Sequence, residues 1–329
     1  MTKAPGICFV VNDIPYAVWE WDLHDRNIEF IRGIEHNYFE YVALSHLENL
    51  EGADRNLAAL AIRTAYFHGL ETLLTLACAA IQAPYCIPAW IQRCRTEQLR
   101  TIVDAISSGH WTAYNPFRLQ PVSWLTLAEL SLNFSDTTGE ELNDLRKEFA
   151  DLWGRVSRDW LEQASVDEYN SIKHGLRVSQ GGFYLKAGIE QEYCVPPPSE
   201  EMKLIGGSNF GSKFFQAEAV MNASDNSKTH FRIKRHNTNW NPESLAKKLA
   251  LISMSIANIK GFLRVKNGDA PEDVKVFRPN DIASFWEPWN ESLGIISASM
   301  DTVISEENIE RITQDEILQR LYIRKAKKK

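Results

Sequence analysis

From Asp54 to Gln82 the chain runs without a proline and with one glycine, Gly69, in a stretch rich in alanine and leucine. Alanine and leucine are among the best helix formers, and no breaker interrupts them before Pro84. A helix of that length spans roughly 40 Å. Most of its circumference is Leu, Ile, Ala, Phe or Tyr, so other elements must cover it. This one segment commits the chain to a helical core.

Further helices follow from local signals. Residues 88 to 108 and 121 to 134 read as shorter helices on either side of an aromatic loop, Gly109 to Pro116. A long helix starts after Thr137-Thr138-Gly139-Glu140 and runs through Trp153 and Trp160. Ser165-Val166-Asp167-Glu168 has the form of a capping box that breaks and restarts it. Asn241 as N-cap, Pro242 at the first helical position and Glu243 beside the positive helix end open another helix. Its apolar stripe is Leu245, Leu249, Ile252, Ile256, Ile259 and Leu263. Thr313-Gln314-Asp315-Glu316 caps the last helix, and residues 278 to 292 form a Trp-containing connection. Near the N-terminus, the alternation of Trp19-Glu20-Trp21-Asp22-Leu23 suits a short strand.

The texture changes after Gly175. Gly181-Gly182, Pro196-Pro197-Pro198 and Gly206-Gly207 separate short alternating runs such as Phe183 to Lys186 and Thr229 to Lys234. The expected fold is mainly α: an antiparallel helical bundle with a small β-rich insertion. The expected organisation is an N-terminal helical region at 1–177, the insertion at 178–240, and helices at 241–329 packing back on the bundle as one integrated domain.

A formal charge of −7 gives no general attraction for polyanions, so any nucleic-acid surface must be local. The cysteines at 8, 78, 86, 94 and 194 lack the close pairing that surrounds a zinc ion and read as free thiols. Ile7 to Val11 is too short for a signal-peptide core, and no membrane span is expected, which points to the cytoplasm. The terminal run Arg324 to Lys329 reads as a solvated basic tail.

Candidate chemistry lies on the two long helices. At about 100° per residue, Thr64, His68, Glu71, Thr75 and Gln82 share one wedge, facing either solvent or a cleft. On the second helix, Leu145, Phe149, Leu152, Val156 and Trp160 form an inward stripe continued by Gln163, Asp167, Asn170 and His174. Either the helix projects beyond the core there, or these polar side chains converge on a buried site. His68 and Glu71 stand three apart, as metal ligands can, but the further Glu-x-x-His elements of carboxylate-bridged sites are missing, so neither metal nor cofactor is expected.

Arg63-Thr64-Ala65-Tyr66-Phe67-His68 resembles the Arg-x4-His motif of the HEPN superfamily of helical proteins. Asn170-Ser171-Ile172-Lys173-His174-Gly175 is similar to the basic, His-bearing helix ends of proteins of that kind. The two stretches cover a small part of the chain. The resemblance implies RNA binding, or RNA cleavage without a metal, in a bacterial stress or defence setting. His68 would then be the acid or base and Arg63 the phosphate clamp. Five residues of separation put Arg63 and His68 about 140° apart on an ideal helix. The resemblance meets this with a homodimer; alternatively His174 and Lys173 complete the site within one chain, with Asp167, Asn170 and Glu71 binding substrate.

The β-rich run offers a second surface, since alternation puts His230, Arg232 and Lys234 on one face and Phe231 and Ile233 on the other. That face binds phosphates or is a charged, solvated edge. The rival to an RNA function is a non-enzymatic interaction module that recognises a protein or small ligand, with aromatic loops such as 286 to 289 as anchors.

Overall fold

A computed structural model describes residues 4–135, 137–175, 177–190, 192–220, 230–300 and 304–326. Thr229 and the basic residues 327–329 lie outside them. The structure is 53% helical and 16% strand, and the described residues form three sheets. It is therefore a mixed α/β protein, and the mainly α, bundle-like expectation is corrected. Two sources of strand account for the difference. One is an N-terminal hairpin. The other is a four-residue strand after residue 294, too short to show a period of its own. The chain divides into two compact units: Met1–Asn170 with Trp240–Gly294, and Ser171–Asn239 with Ile295–Lys329.

The first unit opens with β1 (Gly6–Val11) and β2 (Ile14–Trp19), paired antiparallel from Gly6↔Trp19 to Val11↔Ile14. The strand expected across Trp19 to Leu23 ends at Trp19, and α1 (Leu23–Gly33) begins instead, where Asp22 and Arg26 form an i,i+4 ion pair at 2.8 Å. α2 (Tyr38–Leu47) follows, then the long apolar helix as α3 (Arg55–Gln82). By length and composition α3 could cross a membrane, but 72% of its most apolar window is buried, as in a core helix.

Around it stand α4 (Ile87–Arg93), α5 (Thr96–Ser107), α6 (Trp124–Ser131), α7 (Gly139–Leu161) and α9 (Pro242–Lys266). α3 touches α2, α4, α5, α7 and α9. Gly69 permits the close approach of α9 and α2, since a Cβ there would meet Leu249 Cδ2 at 3.0 Å and Phe39 Cγ at 3.5 Å. Asn241 caps α9 by accepting from Ser244 N at 3.1 Å, and every member of the Leu245 to Leu263 stripe is buried.

Between α7 and the next helix, α8 (Gln163–Lys173), a break falls at Glu162. Ser165 sits inside α8 and caps nothing; its hydroxyl reaches Glu162 at 3.5 Å. The break resets which residues face inward. Gln163 and Asn170 are exposed and Asp167 is half-buried, whereas Glu168 and Tyr169 are buried. The division between the units falls within α8, after Asn170.

In the second unit, β3 (Val178–Gln180), β6 (Gly211–Ala219), β7 (Phe231–Asn239) and β8 (Ser297–Met300) form an antiparallel sheet in the order β3-β6-β7-β8. β4 (Tyr184–Ala187) and β5 (Lys203–Gly207) pair separately. α10 (Gln314–Ala326) carries the expected capping box: Thr313 N donates to Glu316 Oε2 at 2.7 Å, and Glu316 N donates to Thr313 Oγ1 at 3.3 Å.

Candidate nucleic-acid interface

Arg63, His68, Glu71, Asp167 and Asn170 belong to the first unit, and Lys173 and His174 to the second. Arg63 is buried. Its Nη2 and Nε donate to Glu168 at 2.8 and 3.3 Å, and Trp240 Nε1 donates to the same carboxylate at 3.2 Å. Glu168 is fully buried, and the guanidinium carbon lies 4.3 Å from the Phe67 ring centre. Burial pushes the Arg63 pKa down, but the charge and hydrogen bonds of Glu168 outweigh this and hold it above its usual value. Nε and Nη2 are thus committed to a buried carboxylate, so the edge of the guanidinium that would grip a phosphate bidentately from this side is already used.

His68 points elsewhere. It is exposed, at an apolar groove of 430 Å³ lined by Tyr38, Phe39, Leu57, Leu60 and Thr64, and its ring meets Tyr169 edge-on at 5.7 Å. Tyr169 donates to Glu71 Oε2 at 2.5 Å; burial, then that hydrogen bond, raises its pKa, so it stays a protonated donor. Asp167 accepts from Gln163 Nε2 at 2.7 Å on the helix surface. Lys173 and His174 are exposed at the end of α8, where Gly175 at φ +104° closes the helix.

A second polar cluster in this unit escaped sequence reasoning. Tyr66 donates to Asp159 Oδ2 at 2.5 Å, and Lys248 reaches the same oxygen at 2.8 Å. Burial, followed by the Asp159 charge, lifts the Tyr66 pKa well above its usual range. These groups are turned inward onto one another, as a structural network is. Among the described residues, no three His, Cys, Asp or Glu side chains gather to hold a metal ion.

The sheet of the second unit is different in kind. Lys213, Phe215, Ala217 and Ala219 on β6 stand opposite Asn237, Arg235, Ile233 and Phe231 on β7, so all eight share one face. Phe215 is 62% exposed, Phe231 55% and Ile233 63%. Two exposed rings thus share a sheet face with half-buried Lys213 and exposed Arg235, with small alanines between them. No family model, curated protein or solved structure matches this chain.

Charge is also unevenly spread along the chain, with five basic residues in the terminal run Arg324 to Lys329. Residues 171–239 and 295–329 contain 16 Lys and Arg against 12 Asp and Glu, a balance of +4; with −7 in total, the remainder of the chain carries −11. The sequence reading found Phe231 and Ile233 on one face but missed Phe215 and Arg235. The available signal was the alternation of Lys213, Phe215 and Ala217, interrupted for the eye by the adjacent Phe214, which faces the other way and is buried.

Proposed function

We propose that this protein binds single-stranded RNA on the open face of the β3-β6-β7-β8 sheet, without cleavage by Arg63. The observation that carries the reading is the placement of exposed Phe215 and Phe231 beside Lys213 and Arg235 on one sheet face. Unstacked bases offer π-faces to such rings, and nearby cations meet the phosphates. Lys213 and Arg235, on the same face as the rings, supply local attraction despite the acidic chain. A duplex, its bases already stacked, gains little from these rings. Cleavage is left out because the resemblance to the HEPN motif assigns the clamp to Arg63, whose guanidinium is occupied by Glu168.

Fluorescence polarisation with a labelled single-stranded RNA and a matched duplex tests this. Single strands are expected to bind in preference, and salt to weaken binding with a shallow slope, since about two phosphates are neutralised. Each ring contributes about 1–3 kcal/mol by stacking, so Phe215→Ala with Phe231→Ala lowers affinity on the order of 100-fold or more. No saturable binding at low salt would sink the reading. A specific observation then favours protein docking instead: Ile233, Leu204 and Ile205 are exposed in the same unit, and aliphatic side chains serve a protein contact better than a base.

A further inference from the structure

The opposite face of the same sheet carries three buried polar atoms that have no hydrogen-bond partner among the described residues: Ser212 Oγ, Thr238 Oγ1 and His236 Nε2. Ser212 and Thr238 are cross-strand partners, and His236 lies two residues before Thr238, so all three project to one side. The register extends this into a row, Gln180–Ser212–Thr238–Ser297, that crosses all four strands. Ser212 is wholly buried and Thr238 is 4% exposed.

An unpaired buried hydroxyl costs about 1–3 kcal/mol, and native proteins rarely leave two side by side. Cross-strand Cβ atoms are about 5 Å apart, within reach of a mutual hydrogen bond, yet these two hydroxyls do not make it. The imidazole between them and the open end of the sheet is fixed by stacking on Phe214, with ring centres 5.5 Å apart and planes 14° apart. Lys234, opposite Gln216, continues the same face, and Glu218 further along it is engaged by its own cross-strand partner, Arg232. Two hydroxyl donors and an imidazole nitrogen gathered on one buried side of the sheet suit an oxyanion with several acceptor oxygens.

We propose that Ser212, Thr238 and His236 form an anion site that takes a phosphate group. The site does not rest on the RNA reading, because it uses the face away from Phe215 and Phe231. Its phosphate comes either free in solution or as the terminal phosphate of a nucleotide.

Isothermal titration of the full-length protein with inorganic phosphate, at constant ionic strength in chloride, is the test. Saturable binding is expected, weakened roughly tenfold or more in Ser212→Ala/Thr238→Val, which keeps the shape and removes both hydroxyls. A parallel titration with a nucleoside 5′-monophosphate separates the sources: tighter binding than inorganic phosphate, lost in the same variant, assigns the nucleotide. If the double variant does not fold, Thr238→Val alone is read in the same way. Absence of a phosphate response beyond chloride, or an equal response in the variant, overturns the proposal and leaves the hydroxyls to bound water. RNA binding that survives in this variant but fails in the Phe215/Phe231 variant shows the two faces to be separate sites.

Discussion

The Arg63–Glu168 cluster and the β6–β7 face hold similar residue types, cations and aromatic rings, and use them in opposite ways. In this cluster and the one beside it the polar groups are turned inward: Arg63 onto Glu168, Trp240 onto the same carboxylate, Tyr66 and Lys248 onto Asp159. On the sheet, Phe215 and Phe231 meet solvent, although burying them would stabilise the fold. Satisfied, inward polar groups serve uniqueness of folding; exposed rings are kept for an external partner. A motif read in sequence cannot distinguish these uses, because Arg63 has the same neighbours in the chain whether it clamps a phosphate or a buried carboxylate.

The largest effect that could break this comparison lies at Glu168. Glu168→Ala leaves a buried guanidinium and an indole N–H without their acceptor, and is expected to cost about 3–5 kcal/mol in chemical denaturation. Arg63→Met with Glu168→Leu removes both charges and is expected to cost clearly less than Glu168→Ala, because the desolvation penalty of the pair disappears with it and only the Trp240 indole loses its acceptor. If Glu168→Ala were harmless, the cluster would not be structural, and Arg63 would return as a candidate for phosphate.

Next in size is Gln82, which lay in the polar wedge of α3 in the sequence reading but is buried, unlike Thr64, His68, Glu71 and Thr75. Its amide donates to Asn12 O at 3.0 Å and Tyr114 O at 3.3 Å, while its oxygen accepts from Asn12 N at 2.9 Å and Trp90 Nε1 at 3.1 Å. Gln82→Leu is expected to cost about 2 kcal/mol, since several backbone and indole groups lose a partner together. Thermal melting checks it; an unchanged midpoint would mean that water replaces the amide. A smaller loss, about 1 kcal/mol, is expected for Asn241→Ala at the α9 cap, with Asn241→Ser, which keeps an acceptor for Ser244 N, recovering most of it.

How much was legible follows from range. Helix α9 was read almost residue by residue, because its cap and stripe are local. α3 and α7 were legible for the same reason. The fold class was not, since β8 exists only by pairing with β7 across some 60 residues of chain, and four residues carry no period. Within the candidate site, the one-residue register shift at Glu162 decided the outcome. The uninterrupted stripe pointed to Asp167 and Asn170, and the break turned Glu168 and Tyr169 inward instead. Glu168 was read as a helix cap because its partner, Arg63, is 105 positions away.

The smallest expected effect on stability is the most informative about function. Phe215→Ala with Phe231→Ala deletes two large rings, a change that in the core of the first unit would cost about 3–5 kcal/mol for each. On the open sheet, where both rings are mostly exposed, the folded state loses little contact, and the change is expected to stay within about 0.5 kcal/mol per site in denaturation. The comparison therefore predicts a dissociation: stability nearly unmoved, RNA affinity greatly reduced. A large loss of stability would mean that these rings support the sheet itself, and the contrast between the inward Arg63–Glu168 cluster and the outward β6–β7 face would fail at the surface that carries the proposed function.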